Sequence, residues 1–198
     1  MAVQLLYNKI ALQQFDKALK IRYAALPTIR SKESALRMEV KKQRNALNKM
    51  KSDYEKEVSN SKTFGKLWKE FPHGIISINA IHKKKASFAG VKFEVLDYID
   101  FHLEGFYLPV HPMWWLKGID TLKELVAHKV SLQLKEAEVA VLEKERKRTT
   151  QKLNLYEKVQ IPEYEESIRK IKRFLEDQEN LEKATQKIVK NKQQRQEA

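Results

Sequence analysis

Residues 161–175 read IPEYEESIRKIKRFL and lie within a long charged stretch that runs from residue 151 to residue 188. The residues between the apolar ones are mostly charged, so a helix here has one narrow apolar stripe. Such a helix is stable only when another element covers the stripe. We therefore expect a coiled-coil seam. Its apolar positions recur every three or four residues, the spacing of one helix face: Ile161, Tyr164, Ile168, Ile171 and Leu175.

The first 62 residues carry a matching pattern, which makes them the predicted partner. Two heptad positions followed through this segment comprise sixteen residues, of which eleven are apolar. We expect one helix from about residue 8 to residue 60, with a kink or local break near Leu26, because Pro27 removes a backbone hydrogen bond. The two sets are Leu5, Leu12, Leu19, Leu26, Glu33, Val40, Leu47, Tyr54 and Asn8, Phe15, Arg22, Ile29, Leu36, Gln43, Met50, Glu57.

Glycine and proline divide the chain into three segments, since all five Gly and three of the five Pro lie between Gly65 and Gly118. The predicted organisation is an N-terminal coiled-coil helix (1–62), an insert (63–114) and a C-terminal coiled-coil helix (115–198) in one elongated domain. The second helix should begin near residues 112–115. Pro162 should kink it, close to a shift of the seam register between residues 156 and 161. The predicted fold class is mainly α, with two very long helices in an antiparallel coiled coil and a small insert that contains a β-hairpin.

The insert owes its predicted hairpin to residues 74–81 and 91–96, in which β-branched and apolar residues alternate with others. The polar residues 82–90, including three consecutive lysines at 83–85, are predicted to be the connecting loop. A lone hairpin is marginally stable in water, so its apolar side should pack on the helices or bind a partner protein. We assign that surface to Ile76, Ile78, Val91, Phe93 and Val95. Nearby aromatic residues should pack at the join of insert and helices rather than line a ligand pocket: Phe101, Phe106, Tyr107, Trp114 and Trp115.

Composition limits the classes of function. The formal net charge is +13, from 39 Lys and Arg against 26 Asp and Glu, which favours an anionic partner. The absence of cysteine excludes disulfides, thiolate metal sites and thiol catalysis. Neither a long apolar run nor a signal peptide is present in the sequence, so we expect a cytoplasmic protein without direct membrane insertion.

Catalytic chemistry has no visible basis in the sequence. The glycines are scattered singly and form no phosphate-binding loop. The five histidines have no metal-ligand spacing, and the acidic residues follow the pattern of solvated helix faces. We therefore predict no catalytic residues, no metal and no cofactor, and a protein that is not an enzyme.

The two ends of the chain are basic. In an antiparallel pair, residues 9–30 and 183–195 would coincide and form a positively charged tip. Cations near the end of the last helix are partly explained by the helix dipole, but those near the start of the first helix oppose it. The predicted tip residues, which we expect to contact a partner, are Lys9, Lys17, Lys20, Lys183, Lys187, Lys190, Lys192 and Arg195.

Residues 150–162 (TQKLNLYEKVQIP), followed by the helically spaced Ile168, Ile171 and Leu175, closely resemble the C-terminal signature of the D subunit of V-type and A-type rotary ATPases. Residues 89–96 (AGVKFEVL) are similar to the hairpin strand of that family, although Glu94 stands where the family often has Pro. The resemblance spans nearly the whole chain and indicates a divergent bacterial member. The signature residues are Asn154, Glu157, Ile161 and Pro162.

This resemblance implies a non-catalytic rotor shaft, the central stalk that couples ATP synthesis or hydrolysis to hydrogen-ion or other ion transport. The implied partners are the catalytic and regulatory head subunits, the small F subunit at its side, and a funnel-shaped subunit on the membrane ring. The protein would be cytoplasmic and peripheral to the membrane. The alternative is a basic coiled-coil protein that binds nucleic acid or acts as a scaffold. Interleaved acidic residues and the lack of a recognition motif argue against nucleic acid.

Overall fold

The computed structural model describes residues 6–71, 74–104 and 112–196 of the chain. These residues are mainly helical and include one two-stranded antiparallel hairpin, as predicted. The chain divides into two compact units. The first unit comprises Met1–Glu33 and Thr149–Ala198, and the second comprises Ser34–Arg148. The elements are α1 (Lys9–Ser61), β1 (Ile76–Phe88), β2 (Val91–Leu103), α2 (Trp114–Leu155) and α3 (Ile161–Gln196).

Helix α1 begins with a side-chain cap, because Asn8 Oδ1 accepts a hydrogen bond of 2.6 Å from the backbone N–H of Ala11. The helix continues through Pro27 without interruption. The helix therefore has no local break at this proline, and the kink stays a prediction. A short 3₁₀ segment (Lys62–Lys69) follows, and Gly65 has a positive φ of 48° within it.

The predicted seam of α1 is the covered side of the helix. Of the fifteen seam positions among the described residues, only Asn8 is exposed, and it is the cap. Leu5, the remaining position, lies outside the described residues. The polar seam residue Glu33 is buried and accepts a hydrogen bond of 3.1 Å from the Thr150 hydroxyl. The heptad pattern thus identified the covered face, including its polar members.

The first unit has its own core, in which α1 covers the apolar stripe of α3. Ile171 is fully buried there, and the tilted rings of Phe15 and Tyr164 lie 5.6 Å apart. The two helices run in opposite directions, because Arg30 bonds with Glu157 whereas Lys9 lies 3.8 Å from Glu179. The core residues are Ala11, Phe15, Ile168 and Ile171, against which Leu12, Leu19, Tyr164 and Leu175 pack.

The second unit is built around a separate core. It joins α1, α2 and the start of β2 through Leu36, Val40, Leu142 and Val91, with Phe88 and Phe93 packed against them. Ion pairs again connect α1 to α2 in antiparallel order: Arg44 to Glu143 at 2.5 Å and Lys51 to Glu136 at 2.7 Å. Because Phe88, Val91 and Phe93 pack in this core, the hairpin is anchored to the helices by its turn end.

The hairpin differs from the prediction at its turn. Residues 82–88 belong to β1, and the connection is only Ala89 and Gly90. Both have positive φ, 49° and 81°, as a two-residue turn between twisted strands requires. The predicted polar loop at 82–90 is therefore wrong. Its lysines are strand residues, and two of the three have ion pairs across the strands: Lys83 lies 3.0 Å from Glu94 and Lys84 lies 2.6 Å from Asp97.

An aromatic cluster lies near the start of α2. The ring of Phe71 lies 6.0 Å from that of Trp114 and 5.9 Å from that of Trp115. The ring of Trp68 lies 5.6 Å from that of Phe71. Gly118 leaves room for this packing, since a Cβ there would lie 3.2 Å from the Phe71 ring. The two tryptophans therefore pack as predicted, with Phe71 as an additional member. Phe106 and Tyr107 lie outside the described residues.

Candidate functional site

A π-turn, Tyr156–Gln160, separates α2 from α3 in the first unit. The backbone N–H of Ile161 donates to the carbonyl of Tyr156, five residues earlier. Pro162, the next residue, has no N–H to donate. A π-turn accommodates one more residue than the α-helical turn it replaces, so it accounts for the shift of the seam register predicted between residues 156 and 161.

The residues that carry the family resemblance gather around this π-turn. Glu157 lies within it and accepts a hydrogen bond from Arg30 of α1. Ile161, the first residue of α3, is buried. Asn154 and Pro162 are exposed on either side. The signature residues therefore surround the point at which the π-turn contacts α1.

Arg22 of α1 ties the covering helix to the π-turn and to α3. Its Nε donates to Gln160 Oε1 at 2.8 Å, and its Nη2 donates to the Tyr164 hydroxyl at 2.9 Å. Its guanidinium also lies over the Tyr164 ring, 4.3 Å from the centroid. The third group, Nη1, donates to the carbonyl of Ala18 within α1. One side chain thus fixes the position of α1 relative to both flanking segments.

Further polar contacts border the seam of the first unit. The Tyr23 hydroxyl donates to Glu165 Oε1 at 2.6 Å, and this hydrogen bond, with smaller effects of burial and of the carboxylate charge, raises the pKa of Tyr23. On α3, Glu166 and Lys170 pair at 2.7 Å. Hydrogen bonding within that pair lowers the pKa of Glu166 and raises the pKa of Lys170. All these groups are exposed, so each of these contacts contributes little to stability.

The predicted basic tip is arranged differently from the prediction. Residues 9–30 of α1 lie beside residues 157–179, as shown by the contacts of Arg30 with Glu157 and of Lys9 with Glu179. Residues 183–195 of α3 therefore extend past the first residue of α1 instead of coinciding with residues 9–30. The reason is the seam register, which brings Phe15 together with Ile168 and Ile171. The α3 tip cations are all exposed: Lys183, Lys187, Lys190, Lys192 and Arg195.

This end of α3 also carries apolar residues. Leu181, Ile188 and Val189 are 68%, 59% and 49% exposed, whereas the stripe residues nearer the π-turn are covered. On α1, Lys9, Lys17 and Lys20 are exposed, and Lys9 is the one that pairs with α3. The last turns of α3 therefore present cations and apolar side chains together.

The five residues assigned to the hairpin surface separate into two groups. Val91 is buried and Phe93 is partly buried, and both pack in the core of the second unit. Ile78 and Val95 are 46% and 40% exposed, and Ile76 is partly buried. Only Ile78 and Val95 are therefore clearly accessible to a partner.

Side chains that could bind a metal ion do not cluster in the described part of the chain. No group of three His, Cys, Asp or Glu residues among those residues could hold a metal ion. Two of the histidines have ordinary surroundings: His128 bonds with Glu57, and the His82 ring stacks on Tyr98 at 4.2 Å. Within residues 6–71, 74–104 and 112–196, no helix has the length and apolar character needed to cross a membrane.

Arg22 is the residue whose importance the sequence did not reveal. It occupies a predicted seam position, where an arginine reads as a polar interruption. The sequence did contain one clue, because Arg22 lies in the helix that was predicted to cover the segment with the register shift. Its partners Gln160 and Tyr164 could be identified only once the pairing of the two helices was fixed.

Comparisons with known proteins show the family of this chain. A family model that describes the D subunit of ATP synthase matches residues 11–191. The V-type ATP synthase D subunit of Borreliella burgdorferi is 30% identical over 191 residues, covering 96% of this chain and 94% of that protein. The proteins of the same name from Chlamydia pneumoniae and Chlamydia muridarum are each 24% identical over 197 residues and cover 97% of this chain. The alignments cover 94% and 97% of those two proteins, respectively.

The match extends over both units and includes the signature residues around the π-turn. The alternative of a nucleic-acid-binding or scaffold protein is not favoured by these relatives. The chain belongs to the family of ATP synthase D subunits.

Proposed function

We propose that this chain is the central stalk of a V/A-type rotary ATPase or ATP synthase, a rotor shaft that transmits torque between the head and the ion-translocating membrane ring. The observation that carries the proposal is the D-subunit family match over residues 11–191. The shaft itself is an antiparallel coiled coil of α1 with α2 and α3. It is a non-catalytic component that is cytoplasmic and peripheral to the membrane.

Contacts within each unit support a coiled-coil shaft. In each unit, α1 and its partner helix run antiparallel. Lys9 pairs with Glu179 in the first unit, and Lys51 pairs with Glu136 in the second. Buried seam residues and flanking ion pairs are typical of coiled coils. Torque transmission needs helices that do not slide or rotate against each other, and Arg22 resists both movements by bonding to Gln160 and Tyr164.

The partners follow from the proposed role. The catalytic and regulatory head subunits surround the basic tip of α3, the small F subunit binds the side of the shaft, and a funnel-shaped subunit receives its other end. The exposed cations of residues 183–195 and the exposed Leu181, Ile188 and Val189 support a bearing contact, since they combine charge with apolar surface. Ile78 and Val95 offer a second accessible surface on the hairpin.

A pull-down from the native host tests the assignment. The tagged full chain should bring down catalytic head subunits of the ATPase. A chain that purifies alone and shifts DNA in a strongly salt-dependent way at about 150 mM salt would support the nucleic-acid alternative instead.

Charge reversal tests the bearing contact. We expect the head cavity around the tip to be lined with acidic or polar groups. Changing Lys183, Lys187 and Lys190 to Glu should therefore lower coupled ATPase turnover or assembly several-fold, because negative charges would then face that lining. The matched control reverses Lys32, Lys42 and Lys49 on α1, which are exposed and outside the tip. Wild-type turnover and assembly in the tip variant would refute the contact, and equal losses in both variants would show that it is not specific.

A further inference from the structure

The first unit has two unlike flanks, one on each side of its seam. The flank here called the charged flank carries polar contacts between α1 and its partner segments: Lys9 with Glu179, Tyr23 with Glu165, and Arg30 with Glu157. The three α1 residues are separated by multiples of seven positions, so they form one row along the helix. The charged flank is therefore occupied by the chain's own side chains.

The other flank, here called the apolar flank, is built from small and apolar side chains. They recur every seven residues, apart from the one extra residue of the π-turn. A two-stranded coiled coil usually has charged residues at such positions. An apolar residue there, in addition to the two of the seam, is typical of a helix that packs in a bundle. The residues of the apolar flank are Ala11, Ala18 and Ala25 of α1, Val159 of the π-turn, and Ser167 and Phe174 of α3.

The apolar flank is open to solvent. Val159 and Phe174 are 42% and 40% exposed, and the neighbouring Leu155 is 45% exposed. Leu155 and Val159 line a cavity of about 310 Å³ that reaches the seam residues Phe15 and Tyr164. The first unit therefore has an apolar groove beside its seam that α1 leaves uncovered.

The uncompensated charges beside the apolar flank are negative, although the whole chain carries a net charge of +13. Glu163 and Asp177 lie next to the flank on α3 and are exposed, and neither has an ion-pair partner among the residues that the structure describes. Lys170, midway between them, pairs with Glu166 at 2.7 Å. The α1 residues that border the flank are uncharged: Gln14, Ile21 and Thr28.

We propose that the apolar flank binds an amphipathic helix of another protein, one whose apolar stripe is bordered by Lys or Arg. The seven-residue spacing matches a helix that lies along α3, since the side chains of a strand alternate every second residue. Val159 to Phe174 spans about 22 Å, or roughly four helical turns. Lys or Arg beside the incoming stripe would pair with Glu163 and Asp177. The proposal is independent of the stalk assignment.

Fluorescence anisotropy with two labelled synthetic peptides tests the proposal. Both are helical peptides of about 20 residues with Leu at the two apolar heptad positions, bordered by Lys in one and by Glu in the other. We expect the purified full chain, at about 150 mM salt, to bind the Lys-bordered peptide saturably and at least about tenfold more tightly than the Glu-bordered one. The net charge of the whole chain favours the opposite order. Tighter binding of the Glu-bordered peptide would therefore overturn the proposal, as would the absence of binding by both.

Two double variants show whether the peptide binds to the apolar flank. Val159→Ser with Phe174→Ser should weaken binding of the Lys-bordered peptide at least about tenfold, since apolar contact area is lost. Met38→Ser with Val141→Ser changes exposed apolar residues of the second unit and should alter binding less than about twofold. Equal weakening in both variants would mean non-specific hydrophobic attraction and would refute the site.

A charge variant tests the border of the flank without touching its apolar residues. Glu163→Gln with Asp177→Gln should bind the Lys-bordered peptide a few-fold more weakly and the Glu-bordered peptide a few-fold more tightly. Circular dichroism and thermal melting of each variant check that the chain remains folded. If both affinities stay unchanged, the two carboxylates do not border the bound helix and the proposal fails.

Sedimentation of the unmodified chain at the titration concentration tests the other possible occupant, a second copy of this chain. We expect a monomer. A dimer that becomes monomeric in the Val159→Ser, Phe174→Ser variant would mean that a second copy covers the apolar flank, and this would overturn the proposal.

Discussion

At the scale of single residues, Arg22 illustrates how a polar side chain can serve a helical seam. Arginine in a partly buried position is costly to desolvate unless its donors are satisfied. Here Nε, Nη1 and Nη2 each find an acceptor, and the guanidinium also rests on the Tyr164 ring. Because Gln160 and Tyr164 belong to different segments, the arginine allows one relative position of α1 and the π-turn.

Arg22→Lys tests this role. Lysine keeps the charge but lacks the planar fork, so it cannot donate to Gln160 and Tyr164 in the same geometry. We expect the free energy of unfolding, measured with urea, to fall by about 1–2 kcal/mol. Arg173→Lys makes the same change at an exposed position of α3 and should stay within about 0.5 kcal/mol of wild type. Equal stability of the two variants would contradict the role given to Arg22.

At the scale of elements, the π-turn reconciles two stretches of apolar spacing that are out of phase by one residue. The inner positions of α2 include Leu142 and Thr149 and continue to Tyr156 at the start of the π-turn, whereas those of α3 restart at Ile161. A continuous α-helix would turn the α3 stripe away from α1 by roughly 100°, the rotation per residue. The π-turn absorbs the extra residue, and it does so where Pro162 supplies no N–H.

A pair of single-residue deletions tests this explanation in a Pro162→Ala background, which removes the steric effect of proline. Deleting Lys158 should convert the π-turn to α-helix with the stripe still facing α1, so the free energy of unfolding should stay within about 1 kcal/mol of Pro162→Ala. Arg169 lies within α3, where no π-turn can compensate for the loss of one residue. Its deletion rotates Ile171 away from α1 and should cost at least about 2 kcal/mol.

Urea denaturation followed by circular dichroism measures both deletions. Lys158 and Arg169 are both exposed, so neither deletion removes a buried side chain directly. A loss for the Lys158 deletion as large as that for the Arg169 deletion would show that the π-turn has another origin.

At the scale of the whole molecule, the chain has two compact units, each with its own core, although α1 and α2 both continue from one unit into the other. The first core centres on Ile171 and the second on Leu36 and Leu142, all of them fully buried. A helix shared between two cores can open locally around one while the other stays packed. We therefore expect the free energy of local opening to differ between the two units.

Hydrogen exchange of two core variants measures this independence. Ile171→Ala should speed amide exchange mainly in the first unit, and Leu142→Ala mainly in the second, each with a loss of about 2–5 kcal/mol in the affected unit. Ile188→Ala is the control, since this α3 residue is 59% exposed. Its exchange should match wild type. Uniform acceleration throughout the chain by either core variant would indicate a single cooperative unit.

The amino-acid sequence by itself determined the helical periodicity, the start and end of α1, the covered face of that helix and the place of the register shift. These features depend on hydrogen bonds and side-chain spacing within a few residues, which a single segment specifies. The family resemblance also lay in such local stretches, around Asn154 to Pro162.

Tertiary structure alone decided the features that depend on pairing between distant segments. The lysines at 83–85 were predicted to form a loop, but they pair with β2 as strand residues, and the turn is only two residues long. The seam register moved residues 183–195 past the start of α1. It also brought Arg22 to Gln160. Contacts of this kind follow from the alignment of one element against another, to which spacing within one segment gives no access.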